Sequence, residues 1–236
     1  MVFSANRIYI GLTILILVLF SYFFNLDFLL YISVIILTFM ELKISKILSA
    51  KNILFFSSFY LFSFFLYFYL DLFFLFSSLI FISLILLSFF TNYLKYIFAT
   101  LIILFIVFFF HLLNFNRDLF YLVIFISFLN DTSAYLFGKS IKGPLIFPYI
   151  SPKKTWSGTL GSFLVSFSIL IYLDYSYILA MILSLSLFLG DLYFSYIKRK
   201  LSLKDFSSLL SSHGGVMDRL DSMFLITFIL FISISF

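Results

Sequence analysis

From Asn52 to Asn116 the chain carries only two fully charged side chains, Asp71 and Lys95. The apolar runs between them each approach or exceed the roughly 20 residues that a helix needs to cross a bilayer. Such runs cannot be hidden in the core of a soluble fold. Over the whole sequence of 236 residues, 64% are hydrophobic and 11% charged, whereas soluble domains hold about 45–50% apolar and about 25% charged residues. The chain is therefore expected to be an integral membrane protein. Lipid offers no partner to a backbone amide, so the spans must be helices or strands of a closed barrel. Continuous rather than alternating apolar residues select helices.

Polar breaks divide the sequence into nine candidate helices, at roughly 8–24, 28–40, 53–70, 72–90, 96–113, 119–137, 158–173, 177–196 and 217–236, the second and seventh marginal in length. The first follows Arg7 and imitates a signal peptide, but no small-residue cleavage site follows it and it is read as a retained span. If the N-terminus lies in the cytosol, fourteen of the fifteen Lys and Arg fall on the inside, as the positive-inside rule requires. Arg117 is the exception, with Asp118 beside it, and the outside turns otherwise carry Asp27, Asp71 and Asp174. The expected fold is an all-α integral membrane protein of about nine transmembrane helices, multi-pass in the cell membrane, with its C-terminus outside. Residues 1–115 read as a hydrophobic scaffold. Residues 116–236 read as a catalytic half with two long cytosolic loops, 138–157 and 197–216.

The absence of Cys excludes disulfides, thiolate zinc sites and Cys nucleophiles. With only His111 and His213, a His-rich metal site is excluded as well. A metal would have to sit on carboxylates, which favours a hard cation such as Mg²⁺. Acids inside a span are unfavourable by roughly 2.5–3.5 kcal/mol each on insertion scales and mark function. Asn130 and Asp131 lie near the end of the sixth candidate and Asp191 lies well inside the eighth. Asp218 and Asp221 open the ninth, three residues apart and so on one helical face. By the topology all approach the cytosolic interface, giving a polar site at the cytosolic end of the C-terminal helices. Carboxylates converging there need a cation or a Lys or Arg between them.

Simpler roles compete. Asp218 can cap a helix start and Asp221 can favour its positive end. The glycines of "HGG", Gly214 and Gly215, can cradle a phosphate at a helix start or merely interrupt a helix. Lys153 and Lys154 in "SPKKTWSG" can anchor the loop on the cytosolic side or contact a phosphate, and Lys139 and Lys142 share that loop. An ion-coupled transporter is the competing class, but it calls for inverted repeats and discontinuous helices at the midplane. Here the polar residues gather near one face and in long loops.

"SYIKRKLSLKDFSSLLSSHGGVMDRLDS" resembles the signature of the phosphatidate cytidylyltransferases (CDP-diacylglycerol synthases). Ser195, Lys198, Arg199, Lys204, Asp205, His213, Gly214, Gly215, Asp218, Arg219 and Asp221 fall at that family's spacing. "NDTSAYLFGKSIKG", "ISPKKTWSGTLG" and "LGDLYFS" resemble its other blocks in the expected order, so the likeness covers Asn130 to Ser222. Three places depart from the pattern: Ser211-Ser212 stands for Pro-Gly, and Ser157 and Phe194 stand for Glu. The resemblance implies transfer of CMP from CTP to phosphatidate, giving CDP-diacylglycerol and pyrophosphate in phospholipid biosynthesis. A related lipid-phosphate cytidylyltransferase or a polyprenol-type lipid kinase is the alternative. It implies Asp191, Asp218 and Asp221 as ligands of Mg²⁺, with a second cation left open. Lys204, Arg219 and His213 join them as catalytic residues. Lys153, Lys154, Ser195, Lys198, Arg199, Asp131, Gly214 and Gly215 are expected to bind CTP and the lipid phosphate. The expected partners are these substrates and membrane lipid, with no nucleic acid, and the resemblance suggests a homodimer.

Overall fold

The computed structural model of the protein describes residue 13 and residues 15–69, 72–209 and 214–235. Residues 15–23 are helical. They precede α1 (Asp27–Ile44), α2 (Ala50–Tyr69), α3 (Phe73–Phe90), α4 (Leu94–Phe115), α5 (Arg117–Ile141), α6 (Trp156–Tyr172), α7 (Tyr177–Lys200), α8 (Met217–Leu220) and α9 (Met223–Ser235). Among the described residues the extended structure is limited to one antiparallel bridge, between Leu145 and Thr155. The expectation of an all-helical membrane fold is met. Among the described residues five helices, in α2, α3, α4, α5 and α7, are long and apolar enough to cross a bilayer, while α6 and α9 are apolar but shorter.

Two boundaries differ from expectation in ways that matter for the site. α5 continues to Ile141 and α7 to Lys200, so both loops are shorter than the polar sequence suggests. The helix expected over 217–236 is broken. Four residues of α8 are followed by a turn at Asp221 and Ser222, and only then by the 13 residues of α9. Asp218 and Asp221 therefore do not sit on one continuous helical face.

The chain divides into two compact units. The first lies within Met1–Tyr121 and Leu203–Arg219 and the second within Leu122–Ser202 and Leu220–Phe236. The centre of the first is α4, buried almost throughout, with Phe98, Phe105, Phe108 and Phe109 essentially inaccessible. It packs against α1, α2 and α3. This explains why one Phe- and Leu-rich helix has no polar face: it is surrounded by other helices. At one end of this unit Arg117 donates to Asn25 Oδ1 and to the Tyr22 carbonyl at 2.6 Å, and pairs with Asp27 at 3.1 Å. Its guanidinium also lies 4.7 Å from the centre of the Tyr22 ring. The one cation that breaks the charge partition thus has its counter-charge in Asp27. Its sequence neighbour Asp118 instead accepts from the Tyr22 hydroxyl.

In the second unit α7 packs against α6 on one side and α9 on the other. The Tyr193 and Phe224 rings stack at 5.7 Å, and Phe194 meets Phe224 edge-on at 5.2 Å. Gly190 permits this approach. A Cβ there would stand 2.6 Å from the Asp221 carbonyl oxygen, inside van der Waals contact. Small residues at such crossings are how helices come close in lipid. Phe194, at a position where the family pattern places Glu, is fully buried and serves this packing.

Candidate active site

The charged residues of the second unit are gathered by a short hairpin and by one face of α7. After α5 ends, Lys142 and Gly143 both take positive φ, 59° and 126°, and the chain turns back on itself. Ile146 N donates to the Lys154 carbonyl at 3.0 Å and Trp156 N to the Pro144 carbonyl at 3.1 Å. Thr155 then caps α6 by accepting from Gly158 N, as a Thr at this position commonly does. Ser157, which replaces the Glu of the family pattern, donates its hydroxyl to the Lys142 carbonyl and so closes the base of the hairpin.

Two contacts fasten this hairpin to α7. Lys154 Nζ lies 2.7 Å from Asp191 Oδ2, with only 17% and 27% of the two side chains accessible. Lys154 also stands 5.4 Å from the centre of the Phe188 ring. Arg199 Nε donates to the Ile150 carbonyl at 3.1 Å. Asp191, Ser195 and Lys198 are spaced four and three residues apart and share a face of α7. Ser195 and Lys198 are buried. The adjacent Lys153 is exposed, so the two lysines expected to act together have different surroundings.

Asp221 completes the cluster. Its side chain is buried and Oδ1 accepts from Ser222 N at 2.8 Å. Its carboxylate lies within electrostatic reach of Asp191 and Asp131 and of Lys198 and Lys154. Three carboxylates and two ammonium groups thus share one environment, supplied by α5, the hairpin, α7 and the turn before α9. The buried Asp221 carboxylate is repelled by its two partly accessible neighbours unless cations stand among them, and the two lysines supply that charge. The arrangement suits a ligand that brings both negative phosphates and a positive ion.

Asp218 and the two glycines belong to the first unit. Asp218 Oδ2 accepts from Phe206 N at 3.0 Å and Gly215 N at 2.9 Å. Gly214 has φ of 77°, and a Cβ there would lie 2.6 Å from Asp218 Oδ2. A side chain at Gly214 would be strained by its φ and would press on that carboxylate. In the same unit Lys204 is exposed and Arg219 half-buried. His213, Ser211 and Ser212 lie outside the described residues. No group of three or more His, Asp or Glu side chains among the described residues is gathered closely enough to hold a metal ion. Of the carboxylates expected to bind Mg²⁺, Asp191 meets Lys154, Asp221 accepts from Ser222 N, and Asp218 accepts from Phe206 N and Gly215 N.

Sequence reasoning passed over Glu41. It is fully buried near the end of α1 and accepts hydrogen bonds from Ser207, Val216 and Met217. The signal was available, because an acid inside an otherwise apolar helix calls for a partner. The candidate helix at 28–40 stops one residue short of it.

Residues 5–236 match the family described as the Cytidylyltransferase family. A phosphatidate cytidylyltransferase of Rickettsia conorii is 41% identical over 133 residues, covering 50% of this chain and 58% of that protein. The corresponding protein of Rickettsia felis is 39% identical over 132 residues, covering 49% and 58%. One from Staphylococcus aureus is 42% identical over 107 residues, covering 41% of each. The chain therefore spans a little over half the length of the rickettsial relatives it matches. The family pattern, by contrast, runs through both units, from the scaffold helices to the charged cluster and the glycine loop. By that match over nearly its full length, the chain belongs to the Cytidylyltransferase family.

Proposed function

We propose that this chain is a phosphatidate cytidylyltransferase. It transfers CMP from CTP to phosphatidate, at a multi-pass site in the cell membrane that faces the cytosol. The observation that carries the reading is the cluster of Asp131, Lys154, Asp191, Lys198 and Asp221, supplied by α5, the hairpin, α7 and the turn before α9. That is where a lipid phosphate and a soluble nucleotide can meet. Membership of the family, and relatives named for this activity, support it.

In the proposed step a phosphate oxygen of phosphatidate attacks the α-phosphorus of CTP in line. The bond from that phosphorus to the bridging oxygen breaks, and its electron pair leaves on pyrophosphate. A phosphate monoester is already ionised at neutral pH, so no strong base is required. Catalysis of this kind is mostly positioning and neutralisation of charge. Lys154 and Lys198 are assigned to the phosphates, with Lys153, Arg199, Lys204 and Arg219 as further contacts and Ser195 as a hydrogen-bonding group. Lys154 would exchange Asp191 for phosphate. A Mg²⁺ ion uses few protein carboxylates and completes its shell with phosphate oxygens and water. Asp191 and Asp221 would hold such an ion together with phosphate oxygens and water, and it would supply charge neutralisation at the phosphates. Asp218 is proposed as a further ligand. Self-association as a homodimer is part of the same reading and rests on resemblance alone.

The test is turnover by purified protein in detergent, with labelled CTP and a panel of phosphatidate, polyprenyl phosphate and diacylglycerol. Labelled CDP-diacylglycerol from phosphatidate alone is expected. Transfer to polyprenyl phosphate in preference would move the substrate to another lipid phosphate. No transfer of CMP to any acceptor would overturn the reading.

A further inference from the structure

Glu41 is a carboxylate with no accessible surface, and such groups are almost never fully buried unless paired. Its three donors all come from one distant segment of the same unit. Oε1 accepts from Ser207 Oγ at 3.0 Å and from Val216 N, and Oε2 accepts from Met217 N at 2.7 Å. Gly215 lies directly against it, where any Cβ would collide with Glu41 Oε1 and with Ser207 Oγ. Beside it, Asp218 takes Phe206 N and Gly215 N. Two carboxylates, one from α1 and one from α8, thus tie the Phe206–Ser207 arm of the segment to its Gly215–Met217 arm. Hydrogen bonds from backbone amides to a charged acceptor are stronger than neutral ones, and low local dielectric strengthens them further.

We propose that Glu41 is a positioning residue of the transferase site, holding residues 203–209 and 214–217 in the conformation that nucleotidyl transfer uses. This rests on the function proposed above, because the segment carries Lys204, Gly214 and Gly215 and leads into Asp218. Glu41 touches none of the reacting groups and acts through the backbone it fixes. Ser207 shares that role as the one side-chain donor of the clasp.

The test is Glu41→Gln, which keeps the size of the side chain but turns one acceptor into a donor facing backbone N–H groups. Steady-state kinetics, the melting midpoint in detergent and hydrogen exchange of peptides covering 203–217 are measured together on the full chain. The expected result is a kcat about 10–100-fold lower, the range seen when partners that orient a functional group are removed. KM for phosphatidate should stay within about twofold, the melting midpoint should hold, and amides of 203–217 should exchange faster. A kcat of the folded variant within about twofold of the parent, or unchanged exchange in 203–217, overturns the proposal. Ser207→Ala removes one of the three bonds with little change in volume. It should show the same changes to a smaller degree and decides the matter if Glu41→Gln does not fold. Exchange is read without substrate, so a parent protein that transfers no CMP would defeat the proposed function while leaving the clasp to be judged separately.

Discussion

At the scale of single residues, the site divides into groups whose charge matters and groups whose shape matters, and substitution separates them. Asp218 accepts two backbone N–H groups through one oxygen, and an Asn oxygen has lone pairs for both. Asp218→Asn should therefore keep the loop and the level of protein in the membrane while abolishing turnover. Its measurement is CMP transfer across a Mg²⁺ titration, with folded protein quantified in parallel. Retention of most activity at every Mg²⁺ level would confine Asp218 to a structural role. Lys154→Ala should raise KM for CTP by about tenfold or more, because it removes the ammonium paired with Asp191. The pair is largely buried, so the same change also leaves Asp191 without its counter-charge and should lower the melting midpoint. Equal KM in parent and variant would leave Lys154 as an anchor. Asp191 stood out in the sequence as an acid deep in an apolar run and Lys154 as one of two adjacent lysines, but nothing in the sequence announced that they pair. Glu41 did not stand out, because its three partners lie more than 160 positions away and two of them are backbone amides, which have no sequence signature.

At the scale of elements, the hairpin between α5 and α6 and the break between α8 and α9 set the geometry of the cluster. The sequence foretold a loop over the first, from Gly and Pro, but not its bridge, nor that Ser157 would fasten its base to Lys142. Nothing in "MDRLDSMFLITFIL" interrupts a helix by composition, so an unbroken span was the natural reading. The break follows from tertiary contact: α7 comes so close at Gly190 that the Asp221 carbonyl oxygen lies only 2.6 Å from where a Cβ would stand. Gly190→Val should therefore force the two segments apart and destabilise the protein by about 1–3 kcal/mol, the usual range for overpacking. The melting midpoint of purified protein measures this, and an unchanged midpoint would mean that the turn at Asp221 moves freely. Activity should fall as well, since Asp221 is carried on that turn.

At the scale of the whole molecule, the helical membrane fold followed from composition, since five helices have the length and apolarity to cross a bilayer. The count of nine spans and their orientation rest on the distribution of Lys and Arg. A phosphatase reporter joined after Phe236 should be active and a cytosol-dependent fluorescent reporter there dark. The opposite pattern would reverse the side on which the charged cluster faces water. The division into units was not legible. Segment 203–219 belongs with the first 121 residues, because the clasp at Glu41 is made of long-range hydrogen bonds that no periodicity announces. That clasp has a consequence for the way the protein is made. Ribosomes deliver Glu41 to the membrane 175 residues before Val216, so the newborn helix waits through most of translation for the amides that will satisfy its acid. A chain that stops before Ser207 supplies none of those donors, so its Glu41 carboxylate stays unsatisfied however well α1 forms.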